Sequence, residues 1–484
     1  MLRSKIISAL KWTVGAQLLS TLIKAGTLLG LTRLVAPEAF GVYAIAFAAV
    51  AFLRLGFDVG LKSAIVQTPK LNRALLPGIA GLVCIVALAL LIFVQIIAGP
   101  ISIILNMHQL ELALRLLCFV LIFEAAIFLP SARLTRSLRM DLVILSDFTA
   151  TVILSLVALL LAGLDYGLWA LVISQVAFAA ARFIMICLLA PSLLTLPSFR
   201  FSSAFEFLRF GYLVTASDIL NYFNRKADLF VVGILSGATA AGNYSLAMDL
   251  AKTPTRSILP ALNRVLFPAF SRTSKNRDNV SKQFLRLSEV LSLIIFPAFF
   301  GLSVIAEDLV LVMFGLNWET AGITVSIVAF ALPFRILSRA LSPALRALGR
   351  EDRNLQNILV TVVAMLLGLL LGSSQGYVGL CVGWTLGLTL AALLNLLRSL
   401  PVLNISRSEY FLKIVVFAVS AFAMKLALDG LSFGLYLLNL PLRIMIQMAS
   451  GVAIYSIVML IGKRELLVWL IKTWHRGRKK ESRD

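Results

Sequence analysis

Charge, histidine and cysteine are all scarce in this chain of 484 residues. Only 14% of the residues are charged, against about 25% in ordinary soluble domains, while 60% are hydrophobic and the mean hydropathy is +0.96. A soluble fold has too little interior for that apolar share, so soluble enzymes and soluble nucleic-acid-binding domains are excluded. Two histidines, His108 and His475, leave almost no material for a His-ligated metal site or a His-based triad. Cys84, Cys118, Cys187 and Cys381 each fall inside an apolar run, where they read as small buried hydrophobes and not as a disulfide framework. The sequence has no Gly-Lys-Ser/Thr phosphate loop, so no ATP-hydrolysing site of that kind is expected. No catalytic residue, metal site or bound cofactor is expected.

What is present is a series of continuous apolar runs of about 20 residues, the length of a membrane-spanning helix. A membrane β-barrel would alternate instead, so the fold class is an all-α integral membrane protein. Runs bounded by charge, Pro or Gly place about fourteen spans, near residues 10–34, 40–68, 76–99, 110–130, 142–163, 167–190 and 207–235, then 239–267, 283–305, 320–346, 355–373, 376–398, 409–429 and 441–462. The start MLRSKIISALKW carries basic residues before a run that continues to about Val35 with no small-residue cleavage pattern, which reads as an uncleaved first helix.

Lys and Arg alternate cleanly between the connections. One side holds Lys70 with Arg73, the group Arg133, Arg136 and Arg139, and the group Arg272, Lys275, Arg277 and Lys282, and it ends in a basic tail from Lys463. The other side has Arg33 and Arg443 and is otherwise acidic, with Glu38, Asp165, Glu307, Asp308, Glu319 and Asp429. Cytoplasmic connections hold the excess of Lys and Arg, so both termini are expected in the cytoplasm. Topology thus absorbs most of the net charge of +21, and no nucleic-acid partner is expected. The tail would meet anionic membrane lipid or a partner.

An internal repeat is legible. Leu34 to Ala46, LVAPEAFGVYAIA, aligns 201 residues on with Leu235 to Ala247, LSGATAAGNYSLA, sharing Leu and then Gly-x-Tyr-x-x-Ala. Both copies sit at an extracytoplasmic turn, so the halves run parallel about an axis along the membrane normal, with a cavity between two lobes. The expected division is residues 1–195 for helices 1 to 6, 196–402 for helices 7 to 12, 403–462 for two additional helices and 463–484 for the tail.

Ions inside spans cost roughly 2.5 to 3.5 kcal/mol each on the insertion scale and mark function by default. Nine cations (Lys24, Arg54, Lys62, Arg225, Lys226, Lys252, Arg256, Arg335, Arg339) stand against four acids (Asp58, Asp218, Asp228, Asp249), so the cavity is expected to be cationic and to favour an anion, with Arg matched to phosphate oxygens. Lys24, Arg54, Arg225, Lys252, Arg256, Arg335 and Arg339 are the candidate substrate-binding residues. Asp58, Asp218, Asp249 and Glu124 are the candidates for proton or sodium coupling. The bland alternative is that Arg54 with Asp58, Arg225 with Asp228, and Asp249 with Lys252 are in-helix pairs that merely neutralise each other; Lys24, Arg335 and Arg339 have no acid three or four residues away. Pro254, Pro260, Pro297, Pro333 and Pro343 mark bends in their spans. Trp12, Trp318 and Trp469 near span ends read as interfacial anchors.

The segments LTRLVAPEAFGVYAIA at Leu31 to Ala46, FDVGLKSAIVQ at Phe57 to Gln67, RKADLFVVGILSGATAAGNYSLA at Arg225 to Ala247 and FPAFSR at Phe267 to Arg272 resemble the polysaccharide transporter branch of the multidrug, oligosaccharidyl-lipid and polysaccharide exporter superfamily. The resemblance covers most of the first twelve spans, and the last two are generic in sequence. It implies two six-helix lobes plus two helices, and a flippase that moves undecaprenyl-diphosphate-linked oligosaccharide repeat units across the bacterial inner membrane by alternating access. Exopolysaccharide, O-antigen or capsule would be the product, with a polysaccharide polymerase and a chain-length regulator as partners. Arg54, Lys252, Arg335 and Arg339, assisted by Lys24, would then bind the diphosphate. Two relatives in transport stay open, a multidrug and cation antiporter, which the cationic excess disfavours, and a flippase of the peptidoglycan lipid precursor. A membrane polymerase or ligase fits less well, since each extracytoplasmic connection is about 15 residues or fewer.

Overall fold

The computed structural model describes residues 2–58, 61–67, 73–198, 204–255, 277–435 and 437–462, with 2–14, 57, 58, 63, 64, 67, 73, 204–217 and 277 described by backbone alone. Every regular element among them is helical. We number the helices α1 (Leu2–Leu34), α2 (Pro37–Asp58), α3 (Leu61–Gln67), α4 (Leu76–Ile104), α5 (His108–Leu117), α6 (Phe119–Arg136), α7 (Met140–Gly163), α8 (Leu168–Leu189) and α9 (Ala204–Ala251). They continue as α10 (Arg277–Phe314), α11 (Glu319–Val328), α12 (Ala331–Arg339), α13 (Leu341–Ala347), α14 (Glu351–Gly372), α15 (Gly376–Ser399), α16 (Arg407–Gly434) and α17 (Leu440–Gly462). Among the described residues, ten helical stretches are long and apolar enough to cross a membrane, and a bent pair, Leu316–Val328 with Ala331–Ala347, makes an eleventh. Leucines and isoleucines such as Ile96, Leu160, Leu371 and Ile461 stand well exposed, which in water would be a fault and in hydrocarbon is the lipid-facing surface.

Proline explains where the tenth expected span breaks. Pro333 has no N–H and its ring crowds the carbonyl four residues back, at Ala329, which is where α11 and α12 part at 55°. Pro343 does the same at Arg339, the last residue of α12. Pro254 follows the end of α9 and leaves Lys252 in a turn. The expected fourth span is also two helices, α5 and α6, parted at Cys118. Trp318 is not an interfacial anchor: it is fully buried in the turn that opens α11, because the chain folds back over it there. Trp12 and Trp469 lie outside the residues whose side chains are described, and Pro260 and the segment 267–272 lie outside the described residues.

The chain divides into two compact units, with the boundary between Ser245 and Leu246. In the first unit α1 packs on α7 and α8 through Leu31, Val35, Ala158, Ala162, Ala170 and Leu171. The two copies of the repeat meet there. Gly41 and Gly242, which occupy matching positions, lie back to back, and each packs on the residue four before the other: Gly41 on the Ala238 carbonyl and Gly242 on the Pro37 carbonyl. A methyl at Gly41 would come within 2.7 Å of the Ala238 carbonyl carbon and 2.8 Å of the Gly242 nitrogen. The contact is reciprocal, each glycine giving the other helix room to approach. Tyr222 of α9 donates to the Ala48 carbonyl of α2 beside this junction, with Phe52 against Tyr222 and Phe223.

In the second unit α14 and α15 form a hairpin whose backbones touch. Gly368 and Gly372 face Gly379, Gly383 and Gly387, so that a methyl at Gly383 would stand 2.8 Å from the Gly368 carbonyl carbon. Small residues at such a seam supply close van der Waals packing where lipid removes the usual hydrophobic drive. Replacing Gly41 by Val should cost about 1–3 kcal/mol through overpacking, read as a lower midpoint of thermal unfolding of the purified protein. Gly26→Val is the control, since nothing lies within 4 Å of a methyl there, and its midpoint should match that of the wild type.

Candidate functional site

Two clusters of ions are built inside the units. The first lies in a cavity of about 280 Å³ walled by α1, α2, α6, α7 and α8. Arg182 of α8 sits at its base between two carboxylates, 3.0 Å from Glu124 and 2.7 Å from Asp147. The Glu124 pair is a true hydrogen bond from Nη1, whereas the Nε contact to Asp147 falls outside hydrogen-bond alignment. Glu124 is also 3.6 Å from Arg54 of α2. Arg182 and Glu124 are mostly buried, and the Arg54 side chain is 55% exposed. Lys24 of α1 lines the same cavity. Three cations against two acids leave an excess of one positive charge on the cavity, since Glu124 is shared between Arg182 and Arg54 and Asp147 faces Arg182.

The second cluster is in the other unit. Lys252, in the turn after α9, places Nζ 5.9 Å from the ring centroid of Trp384 in α15, and Arg335 of α12 places Cζ 5.8 Å from the same ring. Trp384 is fully buried and Arg335 nearly so. Each contact contributes about 0.5–2 kcal/mol from the ring quadrupole, which offsets part of the cost of holding two like charges together. Arg339, one turn along α12, is half-buried.

The remaining sequence candidates are dispersed. Arg225 is exposed on α9, and the buried carboxylate of Asp228 accepts from the Leu229 N–H and the Tyr244 hydroxyl, both at 2.9 Å. Asp218 is exposed and Asp249 half-buried. Arg256 lies outside the described residues, as does the side chain of Asp58. Sequence reasoning missed Arg182, Asp147 and Trp384. Arg182 carried a signal, an arginine in the middle of the apolar run FAAARFIMI, whereas a tryptophan within a helix rich in Gly and Leu carries none.

The profile of a family described as "Polysaccharide biosynthesis protein" matches residues 30–322, more than half of the chain. The chain belongs to this polysaccharide biosynthesis protein family. It is 26% identical over 322 residues to the succinoglycan biosynthesis transport protein ExoT of Rhizobium meliloti, covering 66% of this chain and 65% of that one. It is likewise 26% identical over 334 residues to the lipopolysaccharide biosynthesis protein WzxC of Escherichia coli, covering 66% and 65%. The chain thus spans just under two thirds of each of these relatives. Its fold resembles that of the lipid II flippase MurJ in an inward closed conformation, with a TM-score of 0.74 at 14% identity, over 94% of this chain and 99% of that one. The family resemblance expected from Leu31 to Ala46 and from Arg225 to Ala247 falls inside the matched region.

Removing the positive partner tests the first cluster. Arg182→Ala leaves Glu124 and Asp147 facing each other with no cation between them. A fully buried broken pair costs about 3–5 kcal/mol, and the partial exposure of Asp147 discounts this to about 2–3 kcal/mol. Thermal unfolding of the purified variant should show that loss, and Arg182→Lys should recover part of it.

Proposed function

We propose that this protein is a flippase that carries undecaprenyl-diphosphate-linked oligosaccharide repeat units across the bacterial inner membrane for surface polysaccharide synthesis. The observation that carries this reading is the pair of cation clusters at span depth in a member of the polysaccharide biosynthesis family. Lys252 and Arg335 share one buried ring, and a diphosphate supplies two adjacent acceptor groups that suit two such cations. Lys24 and Arg54 offer a second cationic surface of the same kind. The relatives named for succinoglycan and lipopolysaccharide synthesis support a surface-polysaccharide substrate.

The same reading takes about fourteen spans, both termini in the cytoplasm and alternating access. Of the coupling candidates, Glu124 lies between Arg54 and Arg182. Polymerase and chain-length regulator act downstream on the delivered unit, so this chain itself does no bond chemistry. Flipping of the peptidoglycan lipid precursor is the second reading, favoured by the likeness in fold to MurJ.

Charge reversal at Arg335 separates these ideas in cells. Arg335→Glu should abolish surface polymer, measured by gel and sugar analysis of cell extracts, with the protein still present in the membrane at wild-type level and growth unaffected. Polymer at the wild-type level would contradict the assignment of the anion site, and arrested growth with intact polymer would favour the peptidoglycan reading.

A further inference from the structure

The second unit holds a cavity that neither cation cluster uses. A cleft of about 690 Å³ lies between α10, the broken pair α11 and α12, α15, α16 and α17. Its charges come in opposite pairs. Lys425 meets Asp429 one turn along α16, and Arg443 of α17 meets Asp308 of α10 at 2.9 Å. Asp308 is nine-tenths buried, and its Oδ2 and the Arg443 Nε are enclosed against each other, so this pair fixes α17 to α10 at the wall of the cleft. Thr385 and Thr389 of α15 add hydroxyls from the opposite wall. Irregular backbone is tolerated at membrane depth where it lines a polar cavity, and the break between α11 and α12 at Ala329 and Phe330 is on this cleft.

The chemistry of this lining differs from that around Trp384. Two cations are balanced by two acids, and Glu307 adds a third carboxylate, so a diphosphate is disfavoured. Donors and acceptors stand side by side instead. That pattern suits vicinal hydroxyls, each of which both donates and accepts. Phe330 and Phe334 present rings on the same wall, which suit the C–H face of a sugar ring. Depth separates a saccharide from a phospholipid headgroup. Thr389 is thirteen residues into α15 from Gly376, or roughly 20 Å at the helical rise, whereas headgroup regions are only about 5–8 Å thick on each side of the hydrocarbon. A headgroup would reach the mouth, where the charge count places Asp308, Asp429 and Arg443, and would stop short of Thr389.

We propose that this cleft is a saccharide-binding site, which takes an uncharged glycan segment through hydroxyl contacts to Asp429 and Thr389 and is lined by residues of α12 and α15 other than Arg335 and Trp384. The choice of a glycan rests on the reading of the chain as a carrier of lipid-linked saccharide. The polarity of the cleft does not depend on it. By the charge count its mouth is extracytoplasmic, where a delivered glycan would be met after crossing.

The test is saturation-transfer NMR on the full chain in nanodiscs, with maltotriose and triacetylchitotriose as uncharged probes and trigalacturonate as the anionic one. Transfer to ring protons of at least one uncharged probe is expected, well above that to trigalacturonate. It should fall about tenfold in Asp429→Asn, the loss of one hydrogen bond to a charged group, and similarly in Thr389→Leu, which fills the cleft without touching a charge. It should be unchanged in Arg335→Ala and in the presence of excess undecaprenyl diphosphate without sugar. No transfer to either uncharged probe, equal transfer in both cleft variants, or loss in Arg335→Ala alone would overturn the proposal. Displacement of the probe by undecaprenyl diphosphate would overturn it too, in favour of a lipid site. Normal polymer from Arg335→Glu cells alongside intact transfer would count against the flippase assignment and leave this site standing.

Discussion

An ion held at membrane depth must find a partner within the protein, and most of the chemistry of this molecule follows from that requirement. Hydrocarbon offers neither water nor counterion, so each intramembrane charge is either paired, laid on an aromatic face or turned toward a polar cavity. All three solutions occur. Arg182 is held between Glu124 and Asp147, Arg335 and Lys252 share Trp384, and Lys24 faces a cavity. Where pairing is complete the ions hold helices together. Where positive charge remains in excess, the excess supports the anion-binding reading.

The backbone seams serve the same end by other means. Glycines at the junction of α2 with α9 and along α14 and α15 let helices approach until carbonyls and Cα atoms touch. Close packing without polar atoms leaves the polar groups free to be concentrated at the sites. The broken pair α11 and α12 supplies Arg335 to the Trp384 cluster and Phe330 with Phe334 to the cleft, so a single broken helix contributes to two sites of different electrostatic character.

Much of this was legible in the sequence. The apolar runs gave the helices, Pro333 and Pro343 gave the breaks, and the Gly-x-Tyr-x-x-Ala repeat pointed to two segments that turn out to pack on each other. Lys24, Arg54 and Glu124 were singled out as intramembrane ions, and the structure gathers them in one cavity; Lys252 and Arg335 meet in another place. Long-range partners were not legible. Periodicity reports only neighbours on the same helix, so it could not show that the Asp228 carboxylate meets Tyr244, and it missed Arg182, whose partners lie on α6 and α7. The last two spans, generic by composition, proved to carry Lys425, Asp429 and Arg443 on a buried polar wall for the same reason.

The central claim is that the chain moves a lipid-linked oligosaccharide from the inner to the outer leaflet. The most direct measurement is leaflet-resolved: delete the gene, label the lipid-linked oligosaccharide with a membrane-impermeant reagent, and compare intact spheroplasts with lysed ones. The account predicts accumulation reachable only after lysis, on the cytoplasmic face, together with loss of surface polymer. Accumulation reachable in intact spheroplasts would mean that crossing had already occurred without this protein, and would contradict it.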